Sequence, residues 1–403
     1  MGLNVYTSFS KEDDPEKSAE NLVEGLGSES SPDLIYVYTS SNLADENLIE
    51  EVSNKFPDAK ILGATTGGEI YGNELGTGNA VAMAVEGDIE IGVGVGHGIS
   101  EDERKAGMTA AGKALTELGN DYCVTSELHR EGIEWQKETP VTFSVFSTAL
   151  TGNGSDVMRG VKEIVGEGAH VTGGIAGDDW KLDETYVYEG GDLLTDAVVV
   201  VAHKTHHKIT HGIKHGLEKT EYNYRVTSSE ANVVHELDGE PAADIYEDVF
   251  GPKGRTANYI MTKPLGIEMG EKETRARDPL DVDDETGSIT FAAEIEEGSL
   301  VYILESPKDS VIDAAKAAAE SAVEKAGIED EEKIEGVILH DCVCRWNCLE
   351  DDDTRREEIK AVKDVVGEDT DVIGWYTYGE IALPRAKAGV HNQTMVLQLF
   401  TEE

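Results

Sequence analysis

The sequence predicts an α/β fold of repeated strand-helix-strand units with glycine-acid turns, forming mixed sheets covered by helices in two domains. Three observations predict it. A glycine-rich run that reaches an acid occurs three times, as GATTGGEI at 63–70, GGIAGDDW at 173–180 and GWYTYGEI at 374–381. Each run precedes an apolar strand: AVAMAV from Ala80, AVVVVA from Ala197 and TMVLQLF from Thr394. Each also follows the same kind of segment, a short apolar strand, a helix-like stretch and a second strand. One glycine run would be weak evidence, but three in equivalent contexts point to a repeated structural unit.

The elements follow in order. A strand is expected at 5–9 and a helix at 14–27, opened by Asp14-Pro15 with proline at the first helical position. The first unit reads LIYVY (34–38), a helix at 45–55, AKILG and the first glycine run. Strands at 80–85 and 89–96 come next. The second of these alternates Ile and Val with Gly, which permits close backbone approach or a bulge. A helix is expected at 104–118, then an irregular surface insertion at 119–139. The second unit runs from VTFSVF (141–146) through a helix at 156–165 to AHVTGG. Beyond it, TEYNYRVTSSEANVVHELDGE reads as a hairpin turning at Asp238-Gly239, leading into a helix started at Glu240-Pro241. ITFAAEIEEGSLVYILES gives two strands around Glu297-Gly298, and an alanine-rich helix covers 310–326. The third unit reads GVILH (336–340), a helix at 355–366 with Ile359, Val362, Val365 and Val366 on one face, then DVIGW. Helices linking strands this short imply parallel crossovers. The domain boundary is placed near Gly216, giving domains 1–215 and 216–403.

Composition bounds the setting. The chain has 403 residues and a net charge of −47, from 81 acids against 34 Lys and Arg. With 39% hydrophobic residues spread along its length, it lacks the compositional signature of disorder. An acidic, lysine-poor surface suits a protein hydrated in molar salt, where a Debye length of about 3 Å screens self-repulsion. The expected source is therefore a halophile, an archaeon. The charge repels phosphate backbones and argues against nucleic-acid partners. The start MGLNVYTSFSKEDD has no basic stretch or apolar core of a signal peptide and no Ser or Thr at position 6 for myristoylation. No apolar run approaches the roughly 20 residues that span a bilayer. A cytoplasmic protein without membrane insertion is expected. Its four cysteines make no disulfide framework.

GATTGGEI, GGIAGDDW, ELDGEPAADIY, KPLGI, DCVCR, GWYTYGEI and HNQTM together resemble the FIST family over nearly the whole chain, an N-terminal and a C-terminal FIST domain. The C-terminal motifs, GEI followed by HNQT, are the most specific. The resemblance implies an intracellular signal-transduction sensor that binds small ligands, amino acids or related metabolites among them. It also implies a signalling partner acting in trans, such as a histidine kinase or chemoreceptor-like protein, since relatives often carry such segments fused. Two positions depart from the family: Ala64 stands where relatives often carry Cys, and Cys344 where they often carry Gly.

Open α/β sheets bind ligands at turns on the carboxyl ends of parallel strands. The acids Glu69, Asp178 and Glu380, with Tyr378, His391 and Asn392, are therefore the candidate ligand-binding residues. A carboxylate there can hold an ammonium group, and the Arg345 fork can hold a carboxylate. Together they suit a zwitterion such as an amino acid. The competing reading is structural: Glu380 caps its turn, Asn392 bonds backbone, and the Asp178-Asp179 pair is a solvated turn. Cys342, Cys344 and Cys348 in HDCVCRWNC, with His340 nearby, are weak metal candidates, because their C-x-C-x-x-x-C spacing is not that of paired zinc knuckles. Cys342 with His391 as base would be the enzyme alternative. The histidines 203, 207, 211 and 215 share one strand face by period two, which reads better as an exposed edge than as a metal site. No Walker A loop, H-E-x-x-H, G-x-S-x-G or kinase signature occurs, which removes the common enzyme classes; with the family resemblance, a non-enzyme without cofactor is expected.

Overall fold

A computed structural model describes residues 2–27, 30–119, 141–166, 168–268, 274–328, 333–383 and 389–402. The insertion expected at 119–139 falls almost wholly outside the described residues. Among the described residues no helix is long and apolar enough to cross a membrane.

The repeat is longer than its glycine runs suggest. In each unit two parallel strands flank a helix: Leu34–Ser40 with Lys60–Thr66, Val141–Ser147 with His170–Ile175, and Ile334–Cys342 with Asp371–Thr377. On the other side of the first strand lies an antiparallel one, Ala80–Glu86, Ala197–Thr205 or Met395–Thr401. Outside that comes an edge strand, Asn4–Ser10, Ile89–His97 or Lys208–Lys214. In the first two units the edge strand leads directly into a helix, Pro15–Leu26 or Glu103–Glu117. In the third, the corresponding helix is Lys308–Ala326, and between it and Lys208–Lys214 lies an insertion whose strands form an antiparallel sheet, with the helices Ala242–Phe250 and Ala257–Ile260.

The three sheets are knitted together by exchanged hairpins. After its glycine turn each unit gives a short hairpin to a neighbour. Glu69–Tyr71 pairs with Asp371–Thr377, Val187–Glu189 with Lys60–Thr66, and Gly379–Ala382 with His170–Ile175. The exchange closes a cycle of three, and each sheet ends with six strands. Three ladders also cross residue 216: those of Glu69–Tyr71, Gly379–Ala382 and Lys208–Lys214.

The inner sheet faces meet in one core that includes Tyr36, Tyr38, Phe146, Ile338, Trp375 and Phe400. The Tyr38 and Trp375 rings stack with centroids 4.9 Å apart, an arrangement that contributes about 0.5–1.5 kcal/mol beyond area burial. Outer faces are covered by helix pairs, and small residues set the spacing. A Cβ at Gly92, Gly94 or Gly96 would sit 2.0–2.1 Å from the carbonyls of Ala114, Ala110 and Ala106. The Ile/Val-Gly alternation thus serves close helix approach, as the sequence implied.

Two local readings change. The hairpin of the inserted sheet pairs Glu218–Glu230 with Val233–Leu237 and turns at Ala231, which has φ 50°. Asp238-Gly239, at φ 52° and 86°, makes the next turn into Glu240–Pro241. Both residues adopt the left-handed conformation that sequence reasoning recognised, but one strand later. The histidine run is no exposed edge. It spans two strands, Ala197–Thr205 and Lys208–Lys214, and His203, His207 and His211 are buried. His203 takes a 2.6 Å hydrogen bond at Nε2 from the Tyr36 hydroxyl, so it fills a core position rather than a metal site.

Candidate functional site

The three glycine turns converge. The amide of Gly67 donates to the Tyr376 carbonyl at 2.7 Å, Tyr378 to Ile175 at 3.0 Å, and Gly177 to Thr65 at 2.9 Å. Counted from the opening glycines Gly63, Gly173 and Gly374, these are equivalent donors and equivalent acceptors. The turns therefore interlock around one point with threefold logic. Gly63 is required there: its φ is 153° and an added Cβ would lie 1.7 Å from the Val37 carbonyl oxygen.

The acids beside this junction are fully partnered in two of the three units. Glu69 accepts from Thr66 and, at 3.0 Å, from the Asn79 amide. Glu380 accepts from Thr377 at 2.8 Å and from the amide and hydroxyl of Thr394 at 3.0 and 2.9 Å. Both side chains are buried, and burial pushes each carboxyl up to about 8 despite those donors. In the second unit, the same count from the opening glycine lands on Asp179, not Asp178. Asp179 accepts from Ser40 Oγ at 2.8 Å and from Ser41 N and Oγ at 2.8 and 2.7 Å. Asp178 accepts from the amides of Leu182 and Asp183 at 3.0 and 2.7 Å and from the Tyr378 hydroxyl. Here the hairpin begins only at Val187, so the turn is longer and uses two acids.

Arg345 is a hub inside the protein, 1% exposed. Its guanidinium meets Glu358, lies 2.9 Å from Asp341, and donates to the carbonyls of His215 and Val311 at 2.9 and 3.0 Å. Burial opposes its charge, yet Glu358 and Asp341 leave it more firmly protonated than usual. The fork that sequence reasoning assigned to a ligand carboxylate is occupied by the chain's own acids.

His391 and Asn392 lie in a different setting. His391 pairs in register with Glu380, and its Nε2 lies 3.1 Å from the Ala382 carbonyl. Burial, then the charge of Arg275, pushes its imidazole down to about 3. The strand Thr274–Arg277 of the inserted sheet packs against Val390–His391. It brings two arginines that sequence reasoning did not select. Arg277 is 2% exposed and, among the described residues, donates only to carbonyls, those of Glu294, Ala276 and Val390 at 3.1, 3.0 and 3.4 Å. Burial, then Arg275, lowers it to about 9. One terminal nitrogen of Arg275 is buried and meets no acceptor. The nearby Glu294 is already held by Arg159 in a two-point pair at 3.0 and 2.8 Å. Asn392, next in the chain and 1% exposed, has its Oδ1 without a donor. A signal for the arginines was available. TRAR puts two cations on one face of a strand by period two, in a chain with only 34 Lys and Arg.

The cysteines gather with an acid from elsewhere. Cys342 and Cys344 are buried and Cys348 half-buried, all with free thiols. A carboxylate of the inserted sheet joins them, Asp278, whose Oδ2 is 3.9 Å from Cys342 Sγ. The ring of His391, by contrast, is turned to Ala382.

Known families account for this architecture. The FIST N domain matches residues 33–240 and the FIST C domain residues 242–383. The chain belongs to the FIST family. FIST domains are sensory domains of signal transduction, and the pair found here abuts where the inserted sheet begins its helix. No curated protein matches this FIST chain in sequence. Among solved structures, it is similar to a cyanuric acid hydrolase described as an innovation by structural concatenation, at 9% identity and TM-score 0.43, with 100% of both chains covered. A second cyanuric acid hydrolase, from A. caulinodans, gives 7% identity and TM-score 0.44 over 100% of this chain and 99% of that one. T. maritima PurL complexed with FGAR gives 9% and 0.22, over 100% and 73%. Likeness at these values says nothing about activity.

Proposed function

We propose that this FIST protein is a cytoplasmic sensor that binds a small carboxylate-bearing metabolite of amino-acid type beside His391. It then reports occupancy to a separate signalling protein, such as a histidine kinase or chemoreceptor-like partner. The observation that carries this reading is two unpartnered atoms at the insertion junction, a buried terminal nitrogen of the half-buried Arg275 and Oδ1 of the buried Asn392. Buried polar groups are normally hydrogen-bonded, and a buried charge is normally paired. Carboxylates are plentiful in a chain of net charge −47, yet among the described residues Arg275 and Arg277 form no ion pair, and Glu294 and Asp278 act on them only through space. A ligand carboxylate would supply the direct acceptor that the Arg275 nitrogen lacks, and an ammonium or amide would supply the donor that Asn392 lacks.

Signalling follows if the ligand binds one arrangement of the inserted sheet more tightly than another. Arg275 and Arg277 belong to that sheet, whereas His391 and Asn392 belong to the repeat core. A ligand bridging them biases how the two pack. We also take the acidic surface as adaptation to molar salt in a halophilic archaeon, and read the site as binding rather than catalytic.

The test is calorimetric titration of the purified chain in molar KCl with a panel of amino acids and other small carboxylates. A saturable signal that Arg275→Ala abolishes is expected. Absence of binding by every carboxylate in the panel would remove this reading.

A further inference from the structure

We propose that Asp278, Cys342 and Cys344 form a binding site for a single thiolate-seeking divalent ion of the zinc class. The site joins the inserted sheet to the third repeat. Cys342 ends the strand Ile334–Cys342, and Cys344 lies in the short helix Val343–Cys348 that follows. Asp278 comes from the inserted sheet, between its strands Thr274–Arg277 and Pro279–Val282. No sequence spacing connects the acid to the thiols; the fold does.

The geometry fits the ion. The two Sγ atoms and an Asp278 oxygen all lie within 4.8 Å of one another, and all three residues are buried. In a filled tetrahedral zinc site, bond lengths of about 2.3 Å to sulfur and 2.0–2.2 Å to oxygen place neighbouring ligand atoms roughly 3.4–3.8 Å apart. The Cys342 Sγ to Asp278 Oδ2 separation of 3.9 Å is close to that before any ion pulls the ligands in.

A supporting residue fixes the carboxylate. Gln393 Nε2 donates to Asp278 Oδ1 at 2.7 Å, which leaves Oδ2 directed at the thiols. The same Gln393 accepts at Oε1 from Ser306 at 3.4 Å and from Cys348 at 3.5 Å. It holds this position with a backbone φ of 54°, a left-handed conformation that a non-glycine residue adopts only when its surroundings demand it. Such outer hydrogen bonds are how ligating carboxylates are usually oriented.

The chemistry also favours an ion over a permanently empty cluster. Cys342, Cys344 and Asp278 are all buried within 4.8 Å of one another, so three acids share a dry space. A divalent cation would displace the two thiol protons to solvent and neutralise the anions formed. Cys348 stands one side chain away, behind Gln393, and the fourth coordination position is left open.

Cobalt(II) titration of the reduced, metal-free full chain in molar KCl tests this. One equivalent is expected to give a thiolate-to-cobalt charge-transfer band, removed by competing zinc. Cys344→Ser should roughly halve the band, Cys342→Ser combined with Cys344→Ser should abolish it, and Asp278→Asn should weaken affinity at least tenfold. Cys348→Ser should leave it in place. No band with folded protein, or a band that survives the double variant, overturns the site. X-ray absorption at the zinc edge of the unaltered chain needs no variant. Two sulfur scatterers with light-atom neighbours are expected, and an all-oxygen shell, as from surface carboxylates, refutes the proposal.

Discussion

The glycine-turn junction and the His391 face of the insertion both bring ionisable groups into the interior, fully buried at Glu69 and Glu380 and half-buried at Arg275 and His391, and they are finished differently. At the junction Glu69 and Glu380 each have both carboxyl oxygens engaged by the same threonine and amide devices. At the insertion face Arg275 and Asn392 keep buried atoms with no partner. The first region is repeated around a threefold arrangement and is closed in two of its three units, Asp179 keeping one buried oxygen unpartnered in the other. The second exists once, because among the described residues only the third repeat carries an inserted sheet. Repetition here builds the scaffold, and the break in repetition supplies the unsatisfied chemistry.

That contrast is broken most severely at Arg345, whose charge is met by two buried acids, Asp341 and Glu358. Replacing it with Met would leave Asp341 and Glu358 buried without their counter-charge. Breaking a buried pair in this way costs about 3–5 kcal/mol. Denaturant unfolding in molar KCl should show that loss. A change below about 1 kcal/mol would mean that Arg345 is not the hub its contacts describe. Gly63→Ala comes next. Its Cβ would meet the Val37 carbonyl, and overpacking of this kind costs about 1–3 kcal/mol. An equal loss is expected for Gly173→Ala, whose Cβ would lie 2.0 Å from the Val145 carbonyl, if the two turns are equivalent.

The closed acids also set a pH dependence. The carboxyls of Glu69 and Glu380 are raised from 4.5 to about 8 in the folded chain. The folded state therefore holds more protons than the unfolded one between those values, and stability falls as pH rises through that window. Buried histidines act oppositely. His203 is lowered from 6.5 to about 4, and His211 and His340 to about 3, by burial. Their contribution is complete above 6.5 and lost as pH falls below it. From pH 6.5 to 8 the acids act alone, with Asp341, itself raised by burial, pulling the same way. The expected loss is about 2 kcal/mol per glutamate at most. Thermal unfolding at fixed salt should show the decline, and Glu69→Gln with Glu380→Gln should flatten it. An unchanged slope in the double variant would mean these acids do not titrate in that window.

Much of the scaffold was legible because its signals are local. A glycine at Gly63 or Gly173 announces a backbone no side chain fits, and alternating Gly in Ile89–His97 announces a close helix. The hairpin exchange was not legible, since strands of three or four residues such as Glu69–Tyr71 carry no pattern that names a partner in another unit. The insertion hid the third edge strand from its helix, Lys308–Ala326, so the full repeat could not be read off. At the candidate site, Glu380, His391 and Asn392 stood out from their motif. The charge on Arg345 was visible too, but its buried partner Glu358 lies in a helix so acidic that it reads as a solvated face. Arg275, Arg277 and Asp278 were passed over because their meaning comes only from what the insertion packs against.

The smallest effect on stability should come from the open class, and it separates the two regions most cleanly. Arg275→Ala removes a guanidinium whose terminal nitrogen has no acceptor among the described residues, so it sheds a desolvation cost instead of stranding a partner. Deleting a group of this kind can be neutral or stabilising, in contrast to breaking a satisfied pair. Unfolding of the ligand-free chain is therefore expected to change by less than about 1 kcal/mol. The same variant should lose the calorimetric signal of any carboxylate that the unaltered chain binds. A residue kept for packing would show the reverse: a clear loss of stability and unchanged binding. If Arg275→Ala destabilises as Arg345→Met does, the insertion face is as closed as the junction, and the search for the ligand must move elsewhere in the molecule.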